Sequence, residues 1–151
     1  MEMSGEQLLP VSQEETWQAL NDLEALKASI PGCESIVPSG ENQYDVALTA
    51  KVGPVSAKFK GKLTLSDLDP PNSYNLAFEG QGGVAGFAKG GAHVALSPMD
   101  AGTRLAYTVK ASVGGKLAQI GSRLIDGAAR KLAEQFFNAF SKRLRDADKA
   151  K

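Results

Sequence analysis

The sequence predicts an α+β domain in which helices cover one face of a curved antiparallel sheet, and three observations carry that expectation. A capped amphipathic helical segment follows a short opening strand; between residues 34 and 113 apolar residues alternate with a period of two; from residue 116 onward they recur at three- and four-residue steps. A chain of 151 residues suits one core, so residues 1–147 are expected to form a single domain, with 148–151 frayed.

The opening strand, about Met3 to Leu9, ends at Pro10. Ser12-Gln13-Glu14-Glu15 has the form of a capping box, in which the serine and glutamate exchange bonds with each other's backbone amides, so a helix starts there. Trp17, Leu20, Leu23, Leu26 and Ile30 share one helical face up to Pro31-Gly32, and Asn21-Asp22 can divide this stretch into two helices, with Asp22 as the second cap. A strand is expected over 34–38. Tyr44, Val46, Leu48, Ala50 and Val52 then alternate with polar residues, Gly53-Pro54 turns the chain, and Ala57, Phe59, Gly61, Leu63 and Leu65 alternate with Lys58, Lys60 and Lys62. After the Asp69-Pro70-Pro71-Asn72 turn come strands over 74–80, 88–96 and 103–113. Gly114-Gly115 ends the alternation, and one long helix is expected beyond, its stripe formed by Leu117, Ile120, Gly121, Leu124, Ala128, Leu132, Phe136, Phe140 and Leu144.

Composition excludes several classes of function. Lys plus Arg and Asp plus Glu number 17 each, so no net field draws in nucleic acid. The lone Cys33 forbids an internal disulfide and any cysteine-cluster metal site, and no metal ligands are expected. The opening Met1-Glu2-Met3-Ser4-Gly5-Glu6 has neither the basic start nor the apolar run of a secretory signal. The expected location is therefore cytoplasmic, with peripheral contact at the inner face of the cytoplasmic membrane as the one membrane role open to it. The neutral total hides a basic C-terminal third, which suits such contact.

Few residues offer chemistry. His93, alone in a strand, reads as a structural or surface residue, and Cys33 as an inert thiol. The glycine-rich stretch 80–91 joins two strands and opens no helix, the context a phosphate cradle needs, so it reads as a sharply bent hairpin or as a gate with Phe87 near its tip. Lys58, Lys60 and Lys62 form a solvated face or a docking surface for an acidic partner or anionic lipid. Ala50, Ala57, Gly61 and Ala111 lie on inward faces, and Gly121, Gly127 and Ala128 on the helix above; either helix and sheet approach closely, or an apolar cavity stays open.

The turn Ile30-Pro31-Gly32-Cys33-Glu34, the lysine-rich hairpin, the glycine-rich stretch, and Gly114-Gly115-Lys116-Leu117-Ala118-Gln119-Ile120-Gly121 running into 128–137 resemble the CoxG family of carbon monoxide dehydrogenase subunits, within the START-like helix-grip (SRPBCC) superfamily. The resemblance covers essentially the whole chain. It implies a helix-grip fold: a curved seven-stranded antiparallel sheet wrapped around a long C-terminal helix, with two short helices after the first strand. It also implies a non-catalytic accessory protein of a molybdenum-containing carbon monoxide dehydrogenase or related hydroxylase. Such a protein would help recruit the enzyme to the membrane and hold a hydrophobic small molecule, a quinone or lipid, with no other cofactor. On this reading Phe59, Leu63, Phe78, Tyr107, Val109, Leu117, Gly121, Leu124 and Ala128 line the cavity and Phe87 stands at its mouth. Two alternatives are a protein adaptor or assembly factor without a ligand, and a cyclase- or hydrolase-like enzyme of the same superfamily.

Overall fold

In the computed structural model, which describes residues 1–149, β1 (Glu2–Leu9) leads into two short helices, α1 (Gln13–Leu20) and α2 (Leu23–Ser29). Ser12 caps α1, its hydroxyl accepting from the Glu15 amide and donating to the Glu15 carboxylate; Asp22 caps α2 through the Glu24 amide. These are the two caps the sequence marks. Six strands follow as a meander: β2 (Cys33–Gly40), β3 (Gln43–Val52), β4 (Val55–Asp69), β5 (Ser73–Gln81), β6 (Phe87–Met99) and β7 (Gly102–Gly114).

All neighbours are antiparallel, and the sheet order is β1-β7-β6-β5-β4-β3-β2. Helices α1 and α2 therefore carry the chain from one sheet edge to the other. Glycines cross the centre of the sheet, with Gly61 opposite Gly80 and Phe78 opposite Gly90. A Cβ at Gly61 would strike the Glu79 carbonyl, and one at Gly90 the Lys110 carbonyl. The tight approach of neighbouring strands is thus what requires glycine at these two positions.

The expected single C-terminal helix is broken. After α3 (Lys116–Gln119), Gly121 adopts φ +93, a left-handed conformation that L side chains rarely take, and α4 (Ser122–Lys149) starts in a new phase. Helix α4 enters the stretch 148–151 expected to fray; Ala150 and Lys151 of that stretch lie outside the described residues. One end of the concave face is filled by a core containing Leu9, Leu20, Tyr74, Val94, Leu105, Phe140 and Leu144. Edge-on contact between Trp17 and Tyr74 (5.5 Å between centroids) ties α1 to it, and α4 joins through Phe140 and Leu144, with Phe136 stacked on Phe140 (5.4 Å) along the same helix.

Candidate functional site

Beyond that packed end, the inward side chains of β3 to β7 do not meet those of α2, α3 and α4, and a cavity of about 580 Å³ lies between them. Its sheet side follows from period two: Val46, Leu48 and Ala50 from β3, Phe59 and Leu63 from β4, Leu76 and Phe78 from β5, Ala88 and Ala92 from β6, and Tyr107, Val109 and Val113 from β7. Its helix side is Leu23, Leu26 and Ile30, then Leu117, then Ile125, Ala128, Ala129, Leu132, Ala133, Phe136 and Phe137. Alanines at 50, 88, 92, 111, 128, 129 and 133 leave space that leucines would fill. Of the small inward residues the sequence marks, Ala50 and Ala111 adjoin open volume, Gly61 borders it but is required by strand spacing, and Ala57 is not in the wall.

Polar groups around this volume are sparse. The Asn21 side-chain amide donates to the Trp17 carbonyl (2.9 Å), and Lys62 and Glu79 border the cavity from strand positions that are exposed. Tyr44, Tyr74 and Tyr107 also line it. Tyr107 stacks on Phe137 (5.4 Å between centroids), and its hydroxyl lies against Gly5, where any side chain on β1 would collide with it. Tyr74 is 6% exposed, and its hydroxyl has no hydrogen-bond partner among the described residues. Burial pushes this phenol's pKa up to about 12. The buried side-chain polar atom without a partner among the described residues is the Ser29 hydroxyl, so the Tyr74 oxygen, unpaired but not sealed off, keeps some accessible surface.

Three connections converge at the end of the cavity marked by Val52, Phe59, Ala88, Val113 and Leu117. The 53–54 turn sits beneath the side chains of Ile120 and Leu124, each 3.7 Å from where a Gly53 Cβ would be. The 82–86 turn, which contains a 3₁₀ helix (Gly83–Ala85), packs Gly82 on the Phe59 ring and Gly86 on Gly115. Val84 at its tip is 86% exposed, and Leu124 is 51% exposed. Lys51, Lys116 and Arg123 carry positive charge at this end, with no acidic partner within 4 Å among the described residues.

Of the residues expected at the site, Phe59, Leu63, Phe78, Tyr107, Val109, Leu117 and Ala128 lie together around the cavity, whereas Gly121, Leu124 and Phe87 do not. The break at Gly121 rotates α4 so that Ile125 turns inward and Leu124 outward. Phe87 is the first residue of β6, in the outward parity of Lys89 and His93; its ring covers Gly114 and it is 38% exposed, while Val84 takes the tip. Sequence reasoning left out Leu23, Leu26, Ile30 and Ile125. The helical spacing of the first three was already visible, but the resetting of phase that selects Ile125 was not.

Apart from Lys62 at its border, the other candidates fall outside the cavity. His93 is exposed and its Nδ1 bonds to Asn75 Oδ1 (2.7 Å), whose amide in turn donates to Asp67 (2.6 Å). Burial raises the pKa of the Cys33 thiol, which makes it less nucleophilic. Lys58 pairs with Glu34 (3.0 Å) and Lys62 with Asp45 (3.9 Å), so two of the three strand lysines are matched by acids on the same outer face. No cluster of His, Cys, Asp or Glu suited to a metal ion occurs among the described residues. No helix among them is long and apolar enough to cross a membrane.

Comparison with known proteins agrees with this architecture. The family model for CoxG, a subunit of carbon monoxide dehydrogenase, matches residues 5–145. A conserved protein from Geobacillus kaustophilus is 34% identical, with 97% of each chain covered and a TM-score of 0.92. A Thermus thermophilus protein (17% identity, 97% and 99% covered, TM-score 0.71) and the Zhui aromatase/cyclase of Streptomyces sp. R1128 (14%, 96% and 92%, 0.67) share the fold. None of the curated proteins matches the chain.

Proposed function

Because the chain belongs to the CoxG family of carbon monoxide dehydrogenase subunits, we propose that it is a non-catalytic accessory protein of a molybdenum-containing carbon monoxide dehydrogenase or related hydroxylase, holding a quinone or lipid in its cavity. The carrying observation is the 580 Å³ volume walled by inward aliphatic and aromatic side chains. Affinity would come mainly from burial of apolar surface, about 25 cal/mol per Å² before the costs of association. The isoprenoid tail of a quinone suits such walls.

A non-catalytic role is supported by the inward ionisable groups being tyrosines, of which Tyr74 stays a neutral phenol far above pH 7. General acid-base catalysis needs a group poised near the working pH. Partnership with the membrane is supported by the cavity end, where exposed Val84 and Leu124 stand among Lys51, Lys116 and Arg123. Apolar tips ringed by cations suit an anionic lipid surface, and they would set the mouth of the carrier against the bilayer that dissolves its ligand.

Native mass spectrometry and organic extraction of the purified protein test the carrier role. A co-purifying quinone or lipid, or stoichiometric uptake of an added one, is expected. A ligand-free protein that takes up neither would overturn it.

A further inference from the structure

We propose that Tyr74 sets the ligand specificity of the cavity, its hydroxyl donating a hydrogen bond to a carbonyl oxygen on the inner end of an otherwise apolar guest. This inference rests on the ligand-carrier reading above and adds to it the chemistry of the buried end.

The other polar groups are committed or lie closer to solvent. The Asn21 amide is bonded to Trp17, Tyr44 and Tyr107 are half-buried, and the unpartnered buried Ser29 hydroxyl is not part of the cavity wall. Tyr74 alone combines nine-tenths burial, a place in the wall and a hydroxyl with no partner among the described residues. Its neighbours in the core are apolar: Val94 is opposite it on β6, the Trp17 ring meets it edge-on, and Leu20, Leu76 and Leu105 belong to or pack on the same cluster. A water molecule placed there would itself want two to four polar partners. A phenol is protonated at neutral pH, and burial moves Tyr74 further from ionising, so it offers a proton. An anionic head would have to shed its water among leucines, so the complementary group is a neutral acceptor.

The position also fixes an orientation. Tyr74 is at the start of β5, whereas Gly80 and Gln81 at the other end of that strand pair with Ala88 and Phe87 beside the exposed tip. A guest bonded to Tyr74 therefore keeps its carbonyl at the packed end and its tail toward the end where the turns converge.

The test pairs 2-decyl-1,4-naphthoquinone with 2-decylnaphthalene, the same skeleton without the oxygens, each competing with a fluorescent hydrocarbon bound to the full chain. Tyr74→Phe is expected to weaken quinone binding about tenfold while leaving hydrocarbon affinity unchanged. Tyr107→Phe should bind the quinone as wild type does. The carbonyl stretch of the bound quinone, read on wild type by infrared difference spectroscopy, should move to lower frequency. An unshifted carbonyl band, or a quinone affinity unchanged in Tyr74→Phe, overturns the role of Tyr74 while the carrier reading stands. Failure of wild type to bind either compound overturns the carrier reading itself.

Discussion

The Glu6 carboxyl on β1 is held below its ordinary range, chiefly by the hydrogen bonds that the Arg104 guanidinium on β7 donates to it. A depressed carboxylate pKa gives stability that is present above the unfolded value of about 4.3 and is lost as pH falls through the folded value. Both side chains are largely solvated, so the effect is small. Glu6→Gln should denature in urea slightly earlier than wild type at pH 7, and the two midpoints should converge as the pH drops below about 4. At this scale the sequence was readable where a residue's partners are local. Ser12 and Asp22 announced their caps because the groups they satisfy are two and three residues away. The isolation of the Tyr74 hydroxyl was not readable, since it depends on what β6 and α1 bring beside it.

Helix-scale reading failed at one point, the joint between α3 and α4. The apolar spacing runs through Ile120, Gly121 and Leu124 as if nothing happened, because a periodic pattern does not reveal the sign of φ at a glycine. Gly121 has open space around its Cα, so Gly121→Ala meets no clash, and its cost is conformational alone, about 1–2 kcal/mol for a left-handed residue. Chemical denaturation should show that loss. Gly127→Ala, in the exposed interior of α4, should instead gain up to about 1 kcal/mol. Equal effects at the two sites would contradict the break. The strands were far more legible: alternation found them, turn residues marked three of the hairpins, and parity alone assigns Phe87 to the outer face once β6 is known to start there.

Across the molecule, the exposed cavity end and its cations predict salt-sensitive attachment to anionic vesicles. The triple charge reversal Lys51→Glu, Lys116→Glu, Arg123→Glu should lower vesicle co-sedimentation at least about tenfold at low salt, at roughly 1 kcal/mol per charge, without changing the thermal midpoint by more than a few degrees. Binding that is indifferent to the reversal or to salt would exclude this face. The sequence foretold the layers of the fold, yet it could not say which small residues hold space open and which let strands touch, because both place glycine and alanine at the same inward positions. Sheet order has one more consequence. Strands β2 to β7 are each paired with their neighbours in the chain, but β1 reaches its partner only across long intervals: Glu6 meets Arg104 98 residues away, and just past the strand's end Thr103 bonds to the Val11 carbonyl across 92. Contacts so distant pay loop-closure entropy before they return anything. The meander can assemble while the opening strand is still searching, so that strand and the two helices behind it close the pouch last, and deuterium labelling during refolding would find β1 amides protected after those of β5 and β6.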